Sequence, residues 1–209
     1  MQKPVIKKLV VYFITDSRYG KHEELAEKAL KGGVRAIQFR EKHLNDKERF
    51  HIAKRLRKIT LDYDALLFIN DRVDIAMAVY ADGVHVGQTD LPAYAIKEIF
   101  DGYIGVSTHT VDEAREAEKY ADYLGVGPIF ATKTKEDARE AIGIDGLKKI
   151  VNAVKKPVIA IGGITADHVS SIFKAGASGI AVVSAIAAEK DVEAAARRFV
   201  ELAHKYKFS

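Results

Sequence analysis

Cysteine is absent from the 209-residue chain. That excludes a disulfide scaffold, a cysteine-ligated zinc site and thiol chemistry. No apolar run approaches the roughly 20 residues needed to span a bilayer. The start, Met1-Gln2-Lys3-Pro4, carries no signal-peptide apolar region ahead of the first strand-like run. A cytoplasmic location and no membrane partner are the resulting expectations. There is no Pro/Gly/Ser-rich linker and no low-complexity segment, so a single domain over residues 1–209 is expected. Asn, Gln and Met are scarce, at three, three and two, while charged residues reach 30%. That balance resembles heat-adapted proteins and is silent on function.

What is present points to a globular fold. Hydrophobic residues make up 48%, enough for a sizeable core. Lys and Arg number 33 against 29 Asp and Glu, a formal charge of +4, with a pI near 9.0. This suits anionic ligands weakly. The densest basic stretch, Lys54-Arg55-Leu56-Arg57-Lys58, falls inside a helix pattern and reads as a solvated face. No nucleic-acid partner is expected from it. A homo-oligomer is compatible with the sequence.

Short apolar, β-branched runs alternate with helical patterns along the chain. The strand-like runs are Leu9–Ile14, Val34–Phe39, Ala65–Ile69, Gly83–Val86, Tyr103–Val106, Tyr123–Val126, Val158–Ile161 and Gly179–Val183. The helical patterns between and after them cover His22–Lys31, Asp46–Leu61, Arg72–Val79, Pro92–Ile99, Val111–Lys119, Leu147–Val154, Ala166–Lys174 and Val192–Lys205. Eight strand–helix units at about 26 residues each predict parallel strands joined by right-handed crossovers. A compact closed (β/α)8 TIM barrel accounts for that count. An open doubly wound sheet is the alternative, but no Gly-x-Gly-x-x-Gly follows the first strand. The one long irregular stretch is Ala131–Gly146, and such loops are usually functional.

In a barrel the active site lies at the C-terminal strand ends. Strand two ends in Gln38-Phe39-Arg40-Glu41-Lys42. Alternation puts Gln38, Arg40 and Lys42 on one face, where two cations and an amide suit a diphosphate. A surface salt-bridge cluster with Glu41 is the competing explanation. Strands three and four end in Asn70-Asp71 and in Gly87-Gln88-Thr89-Asp90. Asp71 and Asp90 are candidate Mg²⁺ ligands, with water and phosphate oxygens completing the shell. Each also fits a helix N-cap, and both readings stand. Ser107 and His109 follow strand five without a third triad member. Thr132, Thr134 and Lys135 lie in the long loop and suit a lid over phosphates, and a solvated charge run fits the composition equally well. Gly162-Gly163 after strand seven and Val183-Ser184 after strand eight suit a phosphate nest.

Taken in order, these motifs resemble the thiamine-phosphate synthase family. The resemblance runs from Tyr12-Phe13-Ile14-Thr15-Asp16 to Ala181-Val182-Val183-Ser184-Ala185-Ile186. Its most specific parts are Gln38–Lys42, Ile69–Arg72, Gly83–Pro92 and Gly127–Lys135. Departures are Phe39 and Val86 where Leu is usual, and Ala131 where Pro is common. None removes a polar group. The resemblance implies a transferase that joins a pyrimidinylmethyl diphosphate to a thiazole ethyl phosphate. It implies that Gln38, Arg40, Lys42, Asn70, Ser107 and Lys135 contact the first substrate, with Arg40, Lys42 and Lys135 acting on the leaving diphosphate. Thr132, Thr134, Gly163, Val183 and Ser184 would contact the second, and Asp71 and Asp90 would hold Mg²⁺. A thiazole tautomerase-like isomerase and a non-catalytic phosphate-binding barrel are the alternatives. The first needs an acid/base group and one phosphate site, and the second has no use for the aspartate pair beside Lys42.

Overall fold

The computed structural model describes residues 7–132 and 139–207. Eight strands, all parallel to their neighbours, close into a barrel in sequential order. They are β1 Val11–Thr15, β2 Ala36–Phe39, β3 Leu66–Asn70, β4 Gly83–Val86, β5 Tyr103–Thr108, β6 Tyr123–Val126, β7 Val158–Ile161 and β8 Gly179–Val182. Closure is made where Tyr12 of β1 faces Ala181 of β8. The outer ring comprises α1 His22–Lys31, α2 Asp46–Asp62, α3 Val73–Ala78, α4 Ala93–Ile99, α5 Val111–Ala117, α6 Gly143–Ala153 and α7 Val169–Lys174. A short α8, Ser184–Ala187, follows β8, and α9, Val192–Lys207, completes the ring.

Strand alternation divides the apolar residues into two cores. One set packs between strands and helices, including Phe13, Ile37, Leu67, Ile69, Val84 and Ile104. The other fills the barrel interior: Leu9, Tyr12, Ile14, Ala36, Phe68, Tyr123, Ile159 and Ala181. Helix starts follow local chemistry. At α2, Asn45 accepts from the Glu48 N–H at 3.0 Å and Glu48 returns a bond to the Asn45 N–H. Thr110 and Glu113 make the same reciprocal box at α5. In the basic stretch of α2, Leu56 is buried, Arg55 pairs with Glu23 and Arg57 with Asp82, both at 2.6 Å. Among the described residues no helix is long and apolar enough to cross a membrane.

Several details differ from expectation. β1 begins at Val11, because Leu9 and Val10 are buried but lie in a turn below the ladder. α6 begins at Gly143 instead of Leu147. The Ile142 and Gly143 N–H groups donate to Pro128 and Ile129 at 2.9 and 3.0 Å, which seats the helix start on the segment after β6. The region before α7 is a 3-10 turn, Ala166–His168, running into the helix. The helix α8 was not expected, since four residues carry no periodic pattern.

Candidate active site

The positions that face the barrel axis continue with the same parity past the strand ends. Asp16, Gln38, Arg40, Lys42, Asn70, His85, Ser107, Gly125, Gly163 and Val183 all line one cavity of about 510 Å³. It opens at the C-terminal ends of the strands, where a parallel barrel places its ligands.

Its floor is a polar network among rings. Gln38 Nε2 donates to the Tyr12 hydroxyl at 2.9 Å, and the Tyr123 hydroxyl donates to the same oxygen at 3.1 Å. His85 bridges onward, with Nδ1 at 3.0 Å from the Tyr123 hydroxyl and Nε2 at 2.9 Å from Ser107 Oγ. The rings stand edge-on to one another: Tyr12 and Phe68 centroids are 5.3 Å apart. Strand register makes the room. His85 and Tyr123 both pair with Gly105. A Cβ there would lie 2.4 Å from the Tyr123 hydroxyl and 2.5 Å from His85 Nδ1. Burial raises both tyrosines above their ordinary range, so each keeps its proton and stays a donor.

The rim over β1 to β4 is built from charged side chains. Arg40 lies 3.8 Å from Asp16, whose carboxylate also takes two bonds from the Arg18 guanidinium, at 2.9 and 2.5 Å, and one from the Arg18 backbone N–H at 3.0 Å. Lys42 pairs with Asp71. Asp71 adopts a left-handed backbone, φ +61°, which costs a non-glycine residue of the order of 1 kcal/mol. Burial raises the Asp71 carboxyl, Lys42 pulls it down, the adjacent Asp90 pushes it up, and the net shift is upward. Asp90 Oδ2 accepts from the Gly87 N–H at 2.7 Å. Neither aspartate caps a helix. The N-cap positions of α3 and α4 are Arg72 and Pro92, and neither has a side-chain cap bond. Glu41 does not join a surface cluster either. It points the opposite way and is buried against His22.

The rim over β6 to β8 is built from backbone. Gly162 and Gly163 have φ of +98° and +61°. A Cβ on Gly163 would lie 2.6 Å from the Ala131 carbonyl oxygen, so this turn takes glycine for both conformation and space. Val183 and Ser184 enter α8, whose first N–H groups have no intrahelical acceptor. Thr132 lines the cavity. Thr134 and Lys135 lie outside the described residues. His109 is not paired with Ser107. Its Nδ1 is 3.1 Å from the Gly127 carbonyl, and its N–H donates to Glu113 at the start of α5.

Residues 11–186 match the thiamine monophosphate synthase family. The chain belongs to that family. It is 62% identical to the thiamine-phosphate synthase of Archaeoglobus fulgidus over 95% of each chain. Identity to the thiamine-phosphate synthase of Pyrococcus furiosus is 50%, over 93% of this chain and 96% of that one. The solved thiamine phosphate pyrophosphorylase from Pyrococcus furiosus superposes with a TM-score of 0.92 at 46% identity, covering 96% and 98%. This family member is therefore an enzyme, a transferase of thiamine biosynthesis on a TIM barrel.

Of the expected site residues, Gln38, Arg40, Lys42, Asn70, Asp71, Asp90, Ser107, Thr132, Gly163, Val183 and Ser184 share the one cavity. Asp16, Tyr12, His85 and Tyr123 also line it and are absent from the expected set. A signal for them existed: each sits at an inward-facing position of its strand, and a polar group facing a barrel interior needs a partner. Among the described residues no group of three or more His, Cys, Asp or Glu is placed to hold a metal. The donor set is two neighbouring carboxylates, which suits an ion completing its shell with water and substrate oxygens.

Proposed function

We propose that the chain joins 4-amino-2-methyl-5-pyrimidinylmethyl diphosphate to 4-methyl-5-(2-phosphoethyl)thiazole, giving thiamine phosphate and pyrophosphate. One observation carries this reading. A single cavity has a hydrogen-bonding aromatic floor, a cationic rim on one side and a glycine-rich rim on the other. That is the layout two phosphorylated heterocycles require.

The floor suits an aminopyrimidine. The Tyr12 oxygen accepts from both Gln38 and Tyr123, so its own O–H is left to donate to a ring nitrogen. Gln38 Oε1 beside it accepts from an exocyclic amine. Ser107 and Asn70 line the same cavity and would meet the methylene and the diphosphate. Arg40 and Lys42 then face the leaving group and stabilise the charge that grows on it. Asp71 and Asp90 would hold Mg²⁺, which would neutralise further diphosphate charge when bound. Electron donation from the aminopyrimidine stabilises the cation left at the methylene carbon. The thiazole nitrogen, with its phosphate held by Gly163, Val183, Ser184 and Thr132, attacks that carbon. Lys135 completes the diphosphate contacts in this reading, and Thr134 the thiazole phosphate contacts. No proton must be removed, which is consistent with a floor whose tyrosines stay protonated.

The test is direct. Purified protein is incubated with both substrates and Mg²⁺, and thiamine phosphate is measured by mass. Formation that requires both substrates is expected. Failure to form product at any Mg²⁺ concentration would refute the reading.

A further inference from the structure

Arg40 and Lys42 lie beyond Phe39, the last ladder residue of β2. The sheet therefore does not fix the backbone that presents them. Glu41, between them, is turned by alternation away from the cavity and towards β1 and α1. Its side chain is 1% exposed. Oε1 accepts from the His43 N–H at 2.7 Å, and Oε2 accepts from His22 Nε2 at 3.1 Å. His22 opens α1, and its Nδ1 lies 2.8 Å from Thr15 Oγ1 at the end of β1. The Thr15 hydroxyl donates to the Gln38 carbonyl at 3.2 Å, which closes the circuit back onto β2. The His22 ring also meets Phe39 edge-on, with centroids 4.7 Å apart.

None of Thr15, His22 and Glu41 lines the cavity. An apolar pair would fill the same space without the desolvation cost of a buried carboxylate. Burial opposes ionisation of Glu41, yet the bonds from His43, His22 and Ser17 hold its carboxyl down at about 2. Arg49 secures the same segment from the other side, with Nη2 donating to the Lys42 carbonyl at 3.0 Å. The arrangement has a purpose if the cations must be placed closely. Lys42 has a flexible four-carbon stem, so its ammonium is only as well placed as its backbone.

We propose that Glu41 and His22 are positioning residues for diphosphate binding, fixing the backbone from which Arg40 and Lys42 reach the leaving group. The inference rests on the function proposed above. It concerns one substrate only: the β6–β8 rim shares none of these bonds.

The test uses Glu41→Gln, which keeps size and shape. Its amide keeps one acceptor oxygen for the three donors that the carboxylate serves, from His43, His22 and Ser17, and removes the negative charge. Inorganic pyrophosphate with Mg²⁺ is titrated into the full chain by calorimetry, and KM is measured for both substrates. Pyrophosphate affinity should fall about tenfold, with KM for the pyrimidine diphosphate rising in step, since small misplacements are costly at a reacting centre. KM for the thiazole phosphate should stay within about twofold. His22→Ala should show the same split. Unchanged pyrophosphate affinity in Glu41→Gln, or an equal loss for both substrates, would overturn the proposal. Pyrophosphate binding needs no turnover. A parent chain that makes no thiamine phosphate would therefore sink the proposed function while the titration still decides this inference.

Discussion

The two rims of the barrel mouth are made of different material. Over β1 to β4 the cavity is edged by Arg40, Lys42, Asp71 and Asp90, charged groups among which Lys42 pairs with Asp71 and Arg40 lies near Asp16. Over β6 to β8 it is edged by Gly162, Gly163 and the entry to α8, where main chain does the work. In the reaction proposed above, the difference follows from what each rim would have to do. A departing diphosphate gains charge as its bond breaks, so it is helped by full charges that respond to it. A phosphate that only has to be held is served by fixed N–H dipoles, which stay in place when the other end of the substrate reacts.

Disabling one rim should leave the other readable. Asp71→Asn tests this most severely. Asn tolerates the left-handed backbone, so the fold should survive, while turnover with saturating Mg²⁺ should fall about 1000-fold. A folded variant with full activity would remove Asp71 from the chemistry. Acid should loosen the same rim first. Glu41 is held at about 2 against an ordinary 4.5. Its stabilising contribution is complete above pH 4.5 and is lost as pH falls towards 2. Glu41→Gln should therefore unfold in acid without that slope. Circular dichroism across this range would show it, and parallel curves for parent and variant would contradict it.

Smaller effects should separate the rims by substrate. Arg40→Ala should weaken pyrophosphate inhibition about 30-fold, the loss expected for a charge-assisted contact. KM for the thiazole phosphate should not follow. Ser184→Ala should do the reverse. It should raise the thiazole phosphate KM about fivefold, as for one neutral hydrogen bond, with pyrophosphate inhibition unchanged. Steady-state kinetics with each substrate varied checks both, and a variant that moves both constants together would erase the distinction between the rims.

Much of this division was legible in the sequence, and the exceptions have physical reasons. The strands Gly83–Val86, Tyr123–Val126 and Val158–Ile161 and the helix His22–Lys31 fall where the apolar pattern puts them. The charged rim was legible because it depends on spacing within one strand end, as in Gln38, Arg40 and Lys42. The floor was not, because His85 acquires its role from Tyr123 and Ser107 on other strands, partners fixed by register. The role of Glu41 was not legible for a related reason. Its neighbours in sequence are cations, but its partner is His22, reached across the gap between β1 and β2. The start of α6 is set by carbonyls of Pro128 and Ile129, which no pattern within the helix reveals.

Gly105 and Tyr123 occupy a single volume between them. A methyl group on the glycine would fall 2.2 Å from the Tyr123 Cζ and 2.4 Å from its oxygen. Enlarging residue 105 alone therefore displaces the ring, and shortening residue 123 alone removes the hydroxyl that joins Tyr12 to His85. Either single change passes through a protein with a damaged floor. The two positions are therefore coupled: the size of the side chain at 123 is set by the absence of one at 105.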